Sequence, residues 1–205
     1  GLTKSTGGTV TLSGENTYTG TTTISAGTLA LGADNVLSDE TEVSVTGIFD
    51  LADNSDTINV LSGAGSVLLG SGTLSVGGNN GSGSFSGVIA ESGGLTKLGS
   101  GTVTLSGENT YTGTTTISNG TLTYGGSNIL STGAVTINGG TLNIDSYTDT
   151  VGAVTLESGS ITGTGTLTGS SYAVKSGAIG AILGGSSVGL TKSTGGTVTL
   201  SGENT

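Results

Sequence analysis

The chain of 205 residues contains no Cys, His, Pro, Met, Trp or Arg, and its four cations are Lys4, Lys97, Lys175 and Lys192. Without Cys there is no disulfide framework, thiolate zinc site or cysteine nucleophile. Without His, the commonest general base and transition-metal ligand is missing. Fourteen acids against four lysines leave a net charge of −10, so nucleic acid, which needs a cationic face, is excluded as a partner, as is docking on anionic lipid. No apolar run approaches the roughly 20 residues of a membrane span. Nothing reads as a signal peptide and the chain does not open on Met, so an excised or processed segment is expected. Neither an enzyme nor a cofactor is expected.

What is abundant is 42 Gly, 39 Thr and 29 Ser. Such a composition can describe a disordered linker, but 32% of the residues are hydrophobic and the Val, Ile and Leu positions are ordered by repeats. Residues 1–33 and 94–126 share GLTK…GTVTLSGENTYTGTTTIS…GTL and are identical at 26 of 33 positions, and 189–205 repeats 1–17 without change. Fainter matches continue at the same offset: Asn35-Val36-Leu37-Ser38 with Asn128-Ile129-Leu130-Ser131, and Ser55-Asp56-Thr57-Ile58 with Thr148-Asp149-Thr150-Val151. The chain therefore divides into unit A (1–93), unit B (94–188) and the start of a further unit A (189–205). It reads as a window on a longer array, since no capping repeat is visible.

Within each unit the period is two, as in Thr9-Val10-Thr11-Leu12, Val135-Thr136-Ile137 and Val154-Thr155-Leu156. Short runs of Thr, Val and Ile separated by Gly, Asn and Ser predict strands and turns and no helix. A sandwich and a β-solenoid both fit many short strands. Near-identical units favour the solenoid, because a coil that buries its core by stacking can be copied indefinitely. Ala134–Ile137 and Ala153–Leu156 lie 19 residues apart, a plausible coil. At ~20–25 residues and ~4.8 Å per coil, a double unit would rise about 40 Å. Few charges and many Thr and Ser predict a hydroxyl-rich outer surface.

The stretches GLTKLGSGTVTLSGENTYTGTTTISNGTL (94–122) and GSGTLSVGGNNGSGSFSGVIAESGGLTK (70–97) resemble the β-strand repeat of bacterial autotransporter passengers, the passenger-associated transport repeat. The resemblance recurs at 1–29 and begins again at 189. It implies a right-handed parallel β-helix exported to a bacterial surface, without implying one activity. The family's C-terminal membrane barrel has no counterpart in these residues.

Candidate sites are few. Seven of the fourteen acids fall between Asp34 and Asp56. Asp50-x-x-Asp53-x-x-Asp56 is a loose calcium candidate beside the plainer reading of a solvated acidic face. Paired carboxylates could hydrolyse glycosides given a cleft, yet a lyase for acidic sugars would also want cations, and three of the four lysines recur at one repeat position, as structural turn or surface residues do. In the repeated Gly-Glu-Asn-Thr-Tyr-Thr-Gly, Asn16 and Asn109, with Gly14, Gly107, Gly20 and Gly113, are expected to form turns or amide ladders along the rod. Tyr18 and Tyr111 either offer a stacking face to sugar or cover a corner. The reading is a structural segment of an extracellular bacterial fibre, stalk or passenger, its partners being neighbouring units or lateral copies. The alternative is an adhesin whose rod binds glycans or other cells itself, and the third a polysaccharide-active enzyme.

Overall fold

The computed structural model describes residues 1–193 and 195–204. Among them there are 25 strands of two to ten residues and no helix, and every strand pairing is parallel. The chain is a β-solenoid: each turn lays short strands on three sides and stacks them on the turn before.

The first side runs from Leu2–Lys4 through Thr22–Ile24, Glu42–Val45, Val60–Gly63, Gly83–Phe85, Thr102–Leu105 and Thr121–Tyr124, and on to Val198–Leu200. The second begins at Asp56–Ile58 and passes Thr73–Val76, Gly94–Lys97 and Thr115–Ile117 to Leu190–Lys192. The third consists of a five-stranded sheet, Thr9–Leu12 to Val88–Ala90, and a three-stranded one, Asp149–Thr150 to Ile182–Gly184. Successive turns are 16 (Leu167 to Leu183) to 22 (Val67 to Ile89) residues apart. That is tighter than the 20–25 expected from sequence, because three short strands with tight corners need fewer residues.

Alternation places every second side chain inside. On the second side Ile58, Val76, Lys97, Ile117, Ile137, Leu156 and Val174 form one inward row in register, and all are buried. The outward neighbours Thr57, Ser75, Thr96, Thr116, Thr136 and Thr155 form an unbroken row of hydroxyl residues. A coil depends on its neighbours for cover: Val10, in the first coil, is 40% exposed, whereas its copy Val103 is 2% exposed.

The copies are not stacked in phase. Starting from Leu2, the first side returns at Thr22, Val43, Leu61 and Gly83, which is four turns. The chain then crosses the third side, and the copy of Leu2, Leu95, falls on the second. From Leu95 the second side returns at Thr115, Val135, Val154, Tyr172 and Leu190, five whole turns. Unit A thus closes one side short of an integral number of turns and unit B closes on an integer. Nine turns and two sides at ~4.8 Å rise about 45 Å, more than the 40 Å expected from longer coils.

Gly14, Gly20, Gly107 and Gly113 are not required by positive φ. A Cβ on Gly107 would sit 2.0 Å from the Gly87 carbonyl oxygen of the preceding coil, and one on Gly113 would sit 2.3 Å from that of Gly93, whereas Gly14 has open space. G107A is therefore expected to destabilise this chain by about 1–3 kcal/mol and G14A to be close to neutral, read by paired urea titrations; equal effects would assign both glycines to chain entropy instead.

Candidate functional site

The most developed polar cluster of the molecule lies where strand pairing lapses. Between Val88–Ala90 and Asp149–Thr150, two turns of the third side carry no strand, and backbone groups facing each other there need other partners. Asn109 supplies them. Its Oδ1 accepts the Ile89 N–H (2.8 Å) from the coil before, and its Nδ2 donates to Ile129 O (2.8 Å) in the coil after and to Gly107 O (3.0 Å) in its own turn. One buried amide thus ties three coils.

The same device sits one side away in unit A, as the phase shift requires. Asn16 Nδ2 donates to Gly14 O (2.7 Å) and Val36 O (3.1 Å). In the third copy, Asn204 Oδ1 accepts the Leu183 N–H (2.8 Å) and its Nδ2 donates to Gly202 O (3.0 Å). The Asn residues accordingly form ladders through backbone groups, and the turn glycines Gly14, Gly107 and Gly202 accept from them.

A carboxylate takes over in the following coil. Asp56 Oδ2 accepts both Val36 N–H and Leu37 N–H at 3.0 Å, and its Oδ1 accepts Thr57 N–H at 2.8 Å. Asp149, its counterpart in unit B, accepts Leu130 N–H (2.9 Å) and Thr150 N–H (2.8 Å). An aspartate suits this place because both its oxygens accept, whereas an asparagine would turn an N–H₂ toward one of the donors. Burial raises the Asp56 carboxyl to a pKa of about 6 despite those three donors, with Asp39 adding repulsion. Burial likewise raises Asp149, against the pull of its backbone donors and of Tyr124. The Tyr124 hydroxyl faces Asp149 from a buried position without closing a hydrogen bond of good geometry. Burial and the Asp149 charge push its pKa up.

Asp50, Asp53 and Asp56 do not converge. Asp56 points into the rod, while Asp50 Oδ1 accepts Ala52 N–H (2.8 Å) and Asp53 Oδ1 accepts Ser71 N–H (2.9 Å). Among the described residues no group of three acids could hold a metal ion. Asp34 and Glu91 likewise accept backbone N–H groups, of Ser55 and Gly70. Four of the seven acids of the run, Asp34, Asp50, Asp53 and Asp56, thus accept backbone N–H groups. Asp39 and Glu40, with Glu15, border an open groove of about 530 Å³.

Tyr111 is 1% exposed and its hydroxyl meets Thr115 Oγ1 at 2.5 Å, so it covers a corner and offers no stacking face. Tyr18 is half-buried and bonds Thr22 in the same way. Lys4 and Lys97, read from sequence as turn or surface residues, are buried and replace an aliphatic residue in an inward row. Lys97 Nζ donates to the carbonyls of Leu98, Gly99 (2.8 Å) and Asn119 (3.4 Å). Lys4 Nζ meets those of Thr6, Ala26 (3.1 Å) and Gly7 (3.5 Å). No carboxylate is among these acceptors, and burial lowers the Lys97 pKa from its ordinary value. Each ammonium thus gathers the carbonyls of a tight corner that no strand pairs. Lys192, in the third copy, is exposed.

The turn, its Asn ladder and its buried Lys recur as a block, and that block matches a known family. The passenger-associated-transport-repeat matches residues 2–31 and again 95–123. Two segments of the chain are thus similar to the passenger-associated transport repeat. The repeat accounts for the coil pairs holding Lys4 and Asn16, and Lys97 and Asn109, with the intervening coils lying outside the two matches. The chain is also 41% identical over 134 residues, 58% of its length, to the adhesin BmaC autotransporter of Brucella suis biovar 1 (strain 1330), of which those residues span 4%. No solved structure matches it.

The roles of Asp56, Asp149 and the lysines were not read from the sequence, yet signals were present. Asp149 is the one acid that unit B retains opposite the Asp50–Asp56 run. Strand alternation in Leu95-Thr96-Lys97 places Lys97 on the same inward face as Leu95.

Proposed function

We propose that this chain is a rod-forming segment of a secreted or surface-exposed autotransporter passenger, whose task is to hold other parts of the passenger away from the cell. The observation that carries the reading is the coil-on-coil ladder: Asn109 binds the coils before and after it through backbone groups, a device that works only in a stack and contains nothing reactive. Main-chain bonds that run along the axis, plus side-chain staples where they lapse, resist bending and local opening. No catalytic role is proposed, because Asp34, Asp50, Asp53 and Glu91 hold backbone corners and the two buried lysines hold carbonyls.

The phase shift bears on lateral packing. A contact made by unit A on one side is presented by unit B on another, so rods do not meet through one repeated face. The rod is accordingly proposed to act singly, with neighbouring coils as its partners. A second reading, direct adhesion to glycans or other cells, draws on the hydroxyl row Thr57 to Thr155 and on the relative's being an adhesin.

Cryo-electron microscopy of the parent material on cells is the test. A single thin rod is expected, with a spacing of ~4.8 Å and a rise of about 45 Å per double unit, each double unit being turned by one side relative to the last. Bundles in lateral register would overturn the single-rod reading, and compact particles would overturn the rod itself.

A further inference from the structure

The two lysine corners differ by one residue with chemical consequences. Unit A has Ser25-Ala26-Gly27 where unit B has Ser118-Asn119-Gly120. An Asn followed by Gly can modify itself, because the next backbone nitrogen attacks the side-chain amide and glycine offers no Cβ to obstruct it. The chain holds three such pairs: Asn80-Gly81, Asn119-Gly120 and Asn138-Gly139.

Only the second is set for attack. Asn119 Oδ1 lies 2.8 Å from the Gly120 nitrogen and accepts its N–H, which brings the side-chain carbonyl carbon against the nucleophile-to-be. Holding reacting atoms near ~3–3.5 Å is itself a large share of such a reaction's acceleration. Asn119 is exposed to water. The Lys97 ammonium donates to the Asn119 carbonyl (3.4 Å), drawing electrons from the peptide whose N–H must be lost. Gly120, at φ +61°, is held in this turn by the preceding coil. By contrast, Asn80 Oδ1 is turned away to Ser100 N–H (2.9 Å) and Oγ (3.1 Å), while Gly81 N–H is donated to Asn59 Oδ1 (2.7 Å). Asn138 is exposed at the corner inside Val135–Asn143, where the ladder register shifts and Gly139 has φ +113°, and among the described residues no hydrogen bond from the Gly139 N–H draws its side chain onto that nitrogen.

We propose that Asn119-Gly120 is a self-deamidation site, at which the folded rod converts one amide to a carboxylate beside the buried Lys97 corner. The Gly120 nitrogen, its proton lost to hydroxide, bonds to Asn119 Cγ. The Cγ–Nδ2 bond breaks, and ammonia departs with a proton from solvent. Water then opens the succinimide, leaving aspartate or, through the other carbonyl, isoaspartate. No oxidant or enzyme is needed. The product places a negative charge on a residue whose own carbonyl already accepts from an ammonium without a carboxylate partner.

The test is peptide mapping by mass spectrometry of the purified chain, incubated at mildly alkaline pH folded and, in parallel, in concentrated urea. In the fold the Asn119 peptide is expected to convert at least about tenfold faster than those of Asn80 and Asn138, since only it has pre-set geometry, and in urea the three rates should draw together. An A26N variant carries the site to unit A, where Lys4 Nζ binds the Ala26 carbonyl at 3.1 Å and Gly27 has φ +69°, and it should convert there too. Asn119 converting no faster than the other two in the fold would overturn the proposal. So would an A26N chain that folds and stays unmodified at that corner.

Discussion

Replacing Asn109 by Ala is expected to lower the unfolding free energy by about 2–4 kcal/mol, while the same change at Asn16 costs roughly 0.5–1.5 kcal/mol. The difference follows from what each amide leaves behind. Without Asn109, the Ile89 N–H loses its acceptor in the interior and the Gly107 carbonyl loses its donor. Ile129 O keeps the Asn109 backbone N–H at 3.2 Å, as Val36 O keeps that of Asn16 at 2.8 Å. Asn16 stands in the first coil and bonds in one direction only. Asp at 109 should be worse than Ala, because an oxygen would then face both Ile129 O and Gly107 O where Nδ2 now donates. Urea unfolding followed by circular dichroism reads the order N16A, N109A, N109D from mildest to most severe. If N109A and N16A cost the same, the amide is a local turn device and the three-coil staple is wrong.

Much of this architecture was legible in the sequence because repetition exposes it. The period-two runs, the offset copies and the absence of helix signals lead to a solenoid, the family resemblance implies its parallel pairing, and residues such as Ile24, Leu29 and Ile117 fall inside as alternation demands. The sequence overestimates the coil length and therefore underestimates the axial rise. The phase shift escaped because identity along the chain says nothing about which side a copy lands on; that depends on accumulated turn lengths, and unit A with its coils of 18 to 22 residues stops one side short. The sequence does not show that the Asn16 and Asn109 amides meet backbone groups of other coils in place of one another. Tyr111 is closed to ligands for a similar reason: an aromatic two residues beyond a corner has its partner, Thr115, on the next strand. Acid spacing misled most. Asp50, Asp53 and Asp56 are three apart, but a corner lies between them, so one turns inward and two stay outside.

The inward acid gives the second large effect, a dependence of stability on pH opposite to that of most salt-bridged carboxylates. Asp56 has a pKa of about 6 in the fold against an ordinary 3.8, so the folded chain binds its proton more tightly than the unfolded chain does. Stability from this group is therefore full below about pH 4, where both states are protonated, and is lost as pH rises through about 6. Two units of pKa correspond to a change on the order of 3 kcal/mol. Asp149, raised in the same direction by its burial, adds to it. The informative quantity is a difference: the D56N/D149N chain should lose less stability between about pH 4 and pH 6 than the parent, by roughly that amount from Asp56, with Asp149 adding in the same direction. Urea midpoints across the window measure it. Parallel profiles would mean that the donated N–H groups of Val36, Leu37 and Leu130 offset the burial of the carboxylates. The physical balance explains why an acid stands here at all. At neutral pH the charged oxygens carry a burial cost, yet Oδ2 accepts the two adjacent N–H groups of the preceding coil while Oδ1 accepts that of Thr57, and an uncharged amide of that size has only one accepting oxygen.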